Sequence, residues 1–427
     1  MRETERGGRS TDLAERSLGY LRFIADNWRL LLFGMLLTGF SSFGQTFFIA
    51  LFGAEIRGAF GLSHGGFGSI YAGATLASAA TIVWLGALID RTDLRLFAGC
   101  VTAAMSAACL IMAATPSVIV LAFALFALRL TGQGLSFHTA MTAMARHFQA
   151  ERGRAIGVAT MGFPIAEAGL PILAVTGIAL LGWRTTWLVS GILVAVILVP
   201  AVVLLLNSHN RRQGSTARRN EDDSDSAHAP RSWSRREVVG DYRFYIILSL
   251  ALAPSFIVTG FFFHLTHMAT EKGWSLALAA TSFTAFAICS FVSLLAMGRL
   301  VDRVGARRLM PIYLIPTIAA LLLIAVADHP AIAFGFMICL GVGVGVTNIV
   351  LNALWAELYG VGNIGAIRAM VFALIVFASA LSPPVMGWLI DYGVTVEAIA
   401  LGCLTYCVAA TAFAATMGRR IAIADPA

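Results

Sequence analysis

Long apolar runs broken by short polar turns set the pattern of this chain. A bilayer core takes about 20 helical residues to cross. Runs of that order occupy 29–52, 66–89, 95–114, 117–145, 155–180, 185–206, 244–268, 277–299, 309–327, 331–356, 365–390 and 395–417. Turns such as Thr115-Pro116 and Asp328-His329-Pro330 are so short that the runs they join must be antiparallel neighbours. One long polar stretch separates six runs from six. The pattern predicts an all-α integral membrane protein, with twelve transmembrane helices in two pseudo-symmetric six-helix bundles. Its parts are an N-terminal tail at 1–28, a first bundle at 29–206, a flexible linker at 207–243, a second bundle at 244–417 and a tail at 418–427.

The two halves repeat each other. The second run of the first half ends in Gly86-Ala87-Leu88-Ile89-Asp90-Arg91, followed by Asp93 and Arg95. The second run of the other half ends in Gly298-Arg299-Leu300-Val301-Asp302-Arg303, followed by Gly305 and Arg307. Arg129-Leu130-Thr131-Gly132-Gln133-Gly134 in the fourth run parallels Leu340-Gly341-Val342-Gly343-Val344-Gly345 in the tenth. Ala145-Arg146-His147-Phe148 likewise parallels Ala356-Glu357-Leu358-Tyr359. A duplicated membrane domain of this kind points to a secondary transporter.

Composition and charge narrow the picture. Hydrophobic residues make up 58% of the chain, charged ones 12%, and the mean hydropathy is +0.81, whereas a soluble domain is about a quarter charged. Of the 30 Lys and Arg, only Arg57, Arg184 and Lys272 fall on one side of the predicted membrane, and Arg129 falls inside a run. All others lie on the side of the chain ends, so both termini are expected in the cytoplasm. The net charge of +7 therefore reflects basic inner loops, and no nucleic-acid partner is expected. The linker's Arg211, Arg212, Arg218, Arg219 and Arg231, around the acidic Glu221-Asp222-Asp223, suit anionic lipid headgroups. The first apolar run is too long for a cleaved signal peptide. A multi-pass protein of the bacterial inner membrane, functional as a monomer, is expected. All six cysteines lie in apolar runs and read as small buried hydrophobes, without disulfide or metal spacing.

The chain resembles the major facilitator superfamily over nearly its whole length. The Gly-x-x-x-Asp-Arg loops look like that family's signature loop, with Asp93 standing where the pattern has Gly. Arg129 with Gly132-Gln133-Gly134 looks like its helix-4 motif. The resemblance implies alternating access by two rocking bundles, with the loops steadying the outward-open state. Ser41-Ser42-Phe43-Gly44-Gln45-Thr46-Phe47-Phe48, and the stretch from His264 to Trp274, also look like the monocarboxylate and oxalate/formate branch.

Charge inside a span is costly and marks function. Arg129 lies about 20 Å into its run, near the bilayer midplane. Glu167, between Pro164 and Pro171, reaches the same depth from the opposite face. The two are expected to meet at the cavity, with Glu167 carrying a proton and Arg129 anchoring substrate. Gln45, Gln133, Asn348 and Asn352 are further candidate lining, the two Asn sharing one helix face. His264 reads either as a proton-relay residue or as part of an aromatic outer gate formed with Phe261-Phe262-Phe263. His264 and His267 lack a third ligand nearby, so neither metal nor cofactor is expected. Ser382-Pro383-Pro384 predicts a bend.

No P-loop, His-Glu-x-x-His or Gly-x-Ser-x-Gly is present, which argues against an ATP-driven pump and against an enzyme. The leading expectation is proton-coupled symport of a small organic anion. The alternative is a multidrug efflux antiporter. A receptor or membrane enzyme built on a carrier fold ranks last.

Overall fold

The computed structural model describes residues 2–149, 151–207, 233–360 and 363–423. The Arg-rich centre of the linker, from Arg211 to Arg231, lies outside the described residues. Those segments are mostly helical, joined by short turns. Its spans are α1 (Leu21–Gly44), α2 (His64–Asp90), α3 (Leu94–Ala114), α4 (Val118–His147), α5 (Arg152–Leu181), α6 (Trp183–Leu206), α7 (Tyr242–Phe263), α8 (Leu276–Val304), α9 (Ile315–Val326), α10 (Ala331–Tyr359), α11 (Ile364–Asp391) and α12 (Val396–Thr416). Eleven of these are long and apolar enough to cross a bilayer, and α9 is shorter.

The differences from the apolar pattern have local causes. The run at 29–52 is not one helix. It breaks at Ser41–Gly44, a tighter turn, and Gln45 is extended (φ −85°, ψ 153°) before Thr46–Leu51 resumes. The run at 309–327 loses its first turns because Met310–Leu314, which includes Pro311, forms turns rather than helix. The helix restarts at Ile315 with Pro316 in its first turn. In α5 a break at Met161 follows from Pro164, which has no N–H to return to the carbonyl of Thr160.

Aromatic packing fills each bundle. Trp187 sits against Phe48 and Phe52 at 5.3 and 4.8 Å in the first half. Phe244, Trp355 and Tyr359 stack in series in the second. Away from these cores large apolar side chains such as Ile119, Leu173 and Leu180 face outward, as a lipid-facing surface requires.

The duplicated loops end their helices by different means. Gly305 has φ +84°, a conformation open to glycine. Glu357 of α10 then accepts from the backbone N–H of Ala306 and Arg307 at 2.8 and 3.1 Å, capping the next turn. In the first half Asp93 has an ordinary φ of −58° and caps α3 with its own carboxylate, accepting from Arg95 and Leu96. Arg146, the counterpart of Glu357, instead pairs with Asp90 and donates to the carbonyl of Ile89. These contacts stay within their own halves. Asp302 and Arg303 are exposed, as are Arg91 and Asp90.

Candidate functional site

A cavity lobe of about 660 Å³ is lined by both halves, and a second lobe of about 690 Å³, lined by α7, α10 and α11 of the second half, adjoins it at Ser255, Thr259 and Asn348. Lining residues run from mid-membrane to Trp355 and Arg368, so the cavity reaches toward the face that carries the chain ends. Gln45, Gln133, Glu167, Asn348 and Asn352 all line it. Asn352 donates to the carbonyl of Asn348, and Arg368 donates to that of Asn352.

Glu167 is 5% exposed and lines the lobe that both halves share. Pro171 cannot donate to the carbonyl of Glu167, so the helix is locally weakened at this residue. Phe47, Phe163, Phe262 and Phe286 line the same lobe. Phe47 lies 6.2 Å from Phe163 and 5.7 Å from Phe283, and Phe262 lies 4.8 and 5.1 Å from Phe283 and Phe286. Two rings come from the first half and three from the second.

Arg129 does not meet Glu167, contrary to the expected pairing. Its Nε donates to Thr75 at 3.1 Å, its Nη1 to the carbonyl of Gly44 at 3.1 Å and to Thr46 at 3.5 Å. The guanidinium also lies over the Tyr71 ring. Neither residue makes an ion pair among the described residues. Two backbone irregularities produce this. The break in α1 frees carbonyls that an intact helix would satisfy. A π-helical turn at Arg129–Ser136 re-aims α4. Arg129 then faces α1 and α2, while Gln133 and Phe137 face the cavity. Gly44 and Gly132 allow the approach: a Cβ on Gly132 would stand 2.7 Å from the Gly44 Cα.

His264 lies elsewhere, at the seal over the opposite face. There the Asp391 carboxylate at the end of α11 accepts from the N–H groups of His64 and Gly65, which open α2, at 2.9 and 2.8 Å. Phe263 stacks on Phe67 and packs on Tyr71. His264 Nε2 donates to the carbonyl of Pro383, 2.9 Å away. The seal therefore joins the two halves through α2, α7 and α11.

Sequence reasoning missed the aromatic lining, the cavity-lining Arg368 and the Asp391 clamp. Apolar periodicity cannot tell a cavity-facing Phe from a lipid-facing one. The clamp left a trace in Ser63-His64-Gly65-Gly66, a capped helix start, and in an acidic residue closing α11.

Two bundles around a central cavity, sealed at one face and reached from the other, define a membrane transporter. The chain belongs to the Major Facilitator Superfamily, whose model matches residues 32–367 and, in a second alignment, 255–422. Its fold is similar to that of a bacterial homolog of the human lysosomal transporter Spinster in an inward-facing, unoccupied conformation. That match has 13% identity and a TM-score of 0.67, covering 91% of this chain and 96% of that one. It is also similar to a point mutant of the nucleoside transporter NupG, at 15% identity and a TM-score of 0.70, covering 91% and 99%. Comparison with curated protein sequences gave no match.

Proposed function

We propose that this transporter exchanges protons for an amphipathic cation, with Glu167 taking each in turn. The observation that carries this reading is a buried carboxyl in a cavity also lined by Phe47, Phe163, Phe262 and Phe286, with no cation paired to it among the described residues. Ring faces and a carboxylate together attract a lipophilic cation. Gln45, Gln133 and Thr259 supply donors and acceptors for its polar end. With both chain ends in the cytoplasm of a bacterial inner membrane, the present conformation is the inward-open one.

Organic-anion symport, the leading expectation from the sequence, rested on Arg129, whose Nε and Nη1 donate to Thr75, Gly44 and Thr46 and which lines neither lobe. That reading keeps one support, the Arg368 guanidinium on the cavity wall. The branch resemblance to monocarboxylate carriers stands or falls with it.

Thermal stability of the purified protein separates the two, because a ligand of the folded state raises the melting temperature. Tetraphenylphosphonium should stabilise at pH 7.5, less so at pH 5.5 where protons compete, and not at all in Glu167→Gln. Stabilisation by small carboxylates alone, lost in Arg368→Ala, overturns the cation reading in favour of the anion one.

A further inference from the structure

We propose that His64, with Arg57, is a second proton-binding site, set in the seal opposite the chain ends, and that proton uptake there opens the seal. The argument is geometric. Arg57 Nη1 lies 3.0 Å from His64 Nε2. A guanidinium nitrogen only donates, so Nε2 accepts, and His64 is neutral with its proton on Nδ1. A proton arriving at Nε2 removes this hydrogen bond and sets an imidazolium against a guanidinium.

The same ring touches the other half. His64 lies 4.5 Å from His267 and 5.8 Å from His264, centroid to centroid. Those two rings tolerate charge better. His264 Nε2 faces a carbonyl, and His267 Nε2 faces the Glu271 carboxylate at 3.1 Å. In both, Nε2 can stay a donor when the ring is protonated. Of the three, only His64 must lose its contact on protonation.

Every charged or titratable group around His64 enters the balance. Arg57 comes from the Gly53–Phe60 helix, His264 from the end of α7, His267 and Glu271 from Leu265–Glu271, and Asp391 from α11. Asp391 already holds the backbone N–H groups of His64 and Gly65, so it is committed to the closed clamp. A charged His64 side chain must swing from Arg57 toward it, and this competes with the helix start for the same carboxylate. The result is a seal that weakens as the facing compartment turns acid.

The site is separate from Glu167 and the proposed exchange, so the two can fail independently. The test is a spin-label distance across the seal, between Ala59→Cys and Tyr392→Cys, both exposed positions, in protein with its six native cysteines replaced. Lowering the pH from 8 to 5 should shift the population toward the longer distance, by at most about tenfold per pH unit for one linked proton. His64→Gln, whose amide oxygen can still accept from Arg57, should stay closed at both pH values. Arg57→Gln, which keeps a donor but removes the opposing charge, should shrink the shift, while His264→Gln and Glu167→Gln should keep it. A wild-type distance that ignores pH overturns the proposal. So does an undiminished shift in His64→Gln, or a shift lost only in Glu167→Gln.

Discussion

Replacing Asp391 by Ala should loosen the seal without unfolding either bundle. The carboxylate makes two short hydrogen bonds to the first N–H groups of α2 and belongs to the other half of the molecule. Loss of an N-terminal capping side chain costs about 0.5–2 kcal/mol. A negative charge at a helix start adds roughly 0.3–1 kcal/mol. Asp391 is exposed on its outer side, which screens the charge contribution, so about 1–2 kcal/mol is the reasoned total. At about 1.4 kcal/mol per factor of ten, the open population should rise roughly 5- to 30-fold. Hydrogen–deuterium exchange reads this at the end of α7, around Phe261–Phe263. That segment packs on α2 without touching Asp391's own partners. Exchange there should quicken by the same factor while the core of α3 and α6 is unchanged. Exchange at α7 within twofold of wild type, in a monodisperse protein, would refute the clamp as the element that holds the seal.

Gly132→Ala should lower the melting temperature through backbone collision with Gly44, a penalty of about 1–3 kcal/mol; unchanged thermal unfolding would deny the tight crossing of α1 and α4. Arg129→Ala should strip partners from Gly44 and Thr75 and destabilise by roughly 1–3 kcal/mol. The same variant should abolish transport of any substrate, and selective loss of anion transport would return Arg129 to substrate binding. Lys272, outside the spans, is pulled down by burial, but its hydrogen bonds to Asp328 and Glu397 outweigh that and hold it above its ordinary 10.5. Its contribution to stability is therefore complete below the unfolded value and lost as pH rises through the folded one. Thermal scans should show an alkaline fall that Lys272→Met lacks.

The helical class, the duplication and the family were legible because they rest on long-range regularities. A twenty-residue apolar run or a repeated Gly-x-x-x-Asp-Arg survives local irregularity. The partners of Arg129 were not legible, and its expected pairing with Glu167 failed, because equal depth says nothing about azimuth. A π-helical turn in α4 and an extended Gln45 in α1 decide where the guanidinium points, and both are backbone events within apolar sequence. Gln45, Gln133 and the two Asn reach the cavity because polar side chains in a span have few other places to go. His64 and Asp391 escaped notice for the opposite reason, since charged and polar residues at span ends are ordinary.

The unequal caps of the duplicated loops have a mechanical consequence. Asp93 caps α3 from within its own turn, while Arg146 at the end of α4 grips the same loop through side-chain contacts with Asp90 and the Ile89 carbonyl. Glu357 caps the equivalent turn from the far end of α10, and Arg307 ties back to the Glu357 carbonyl. Any tilt of α10 therefore drags the α8–α9 corner with it, as a rod pulls a hinge. In the first bundle α4 meets this corner by an exposed ion pair and one carbonyl contact; in the second α10 holds the helix start itself. When the bundles rock, a tilt of α10 shifts the start of the following helix directly, whereas a tilt of α4 acts on its corner through a side-chain pair open to water.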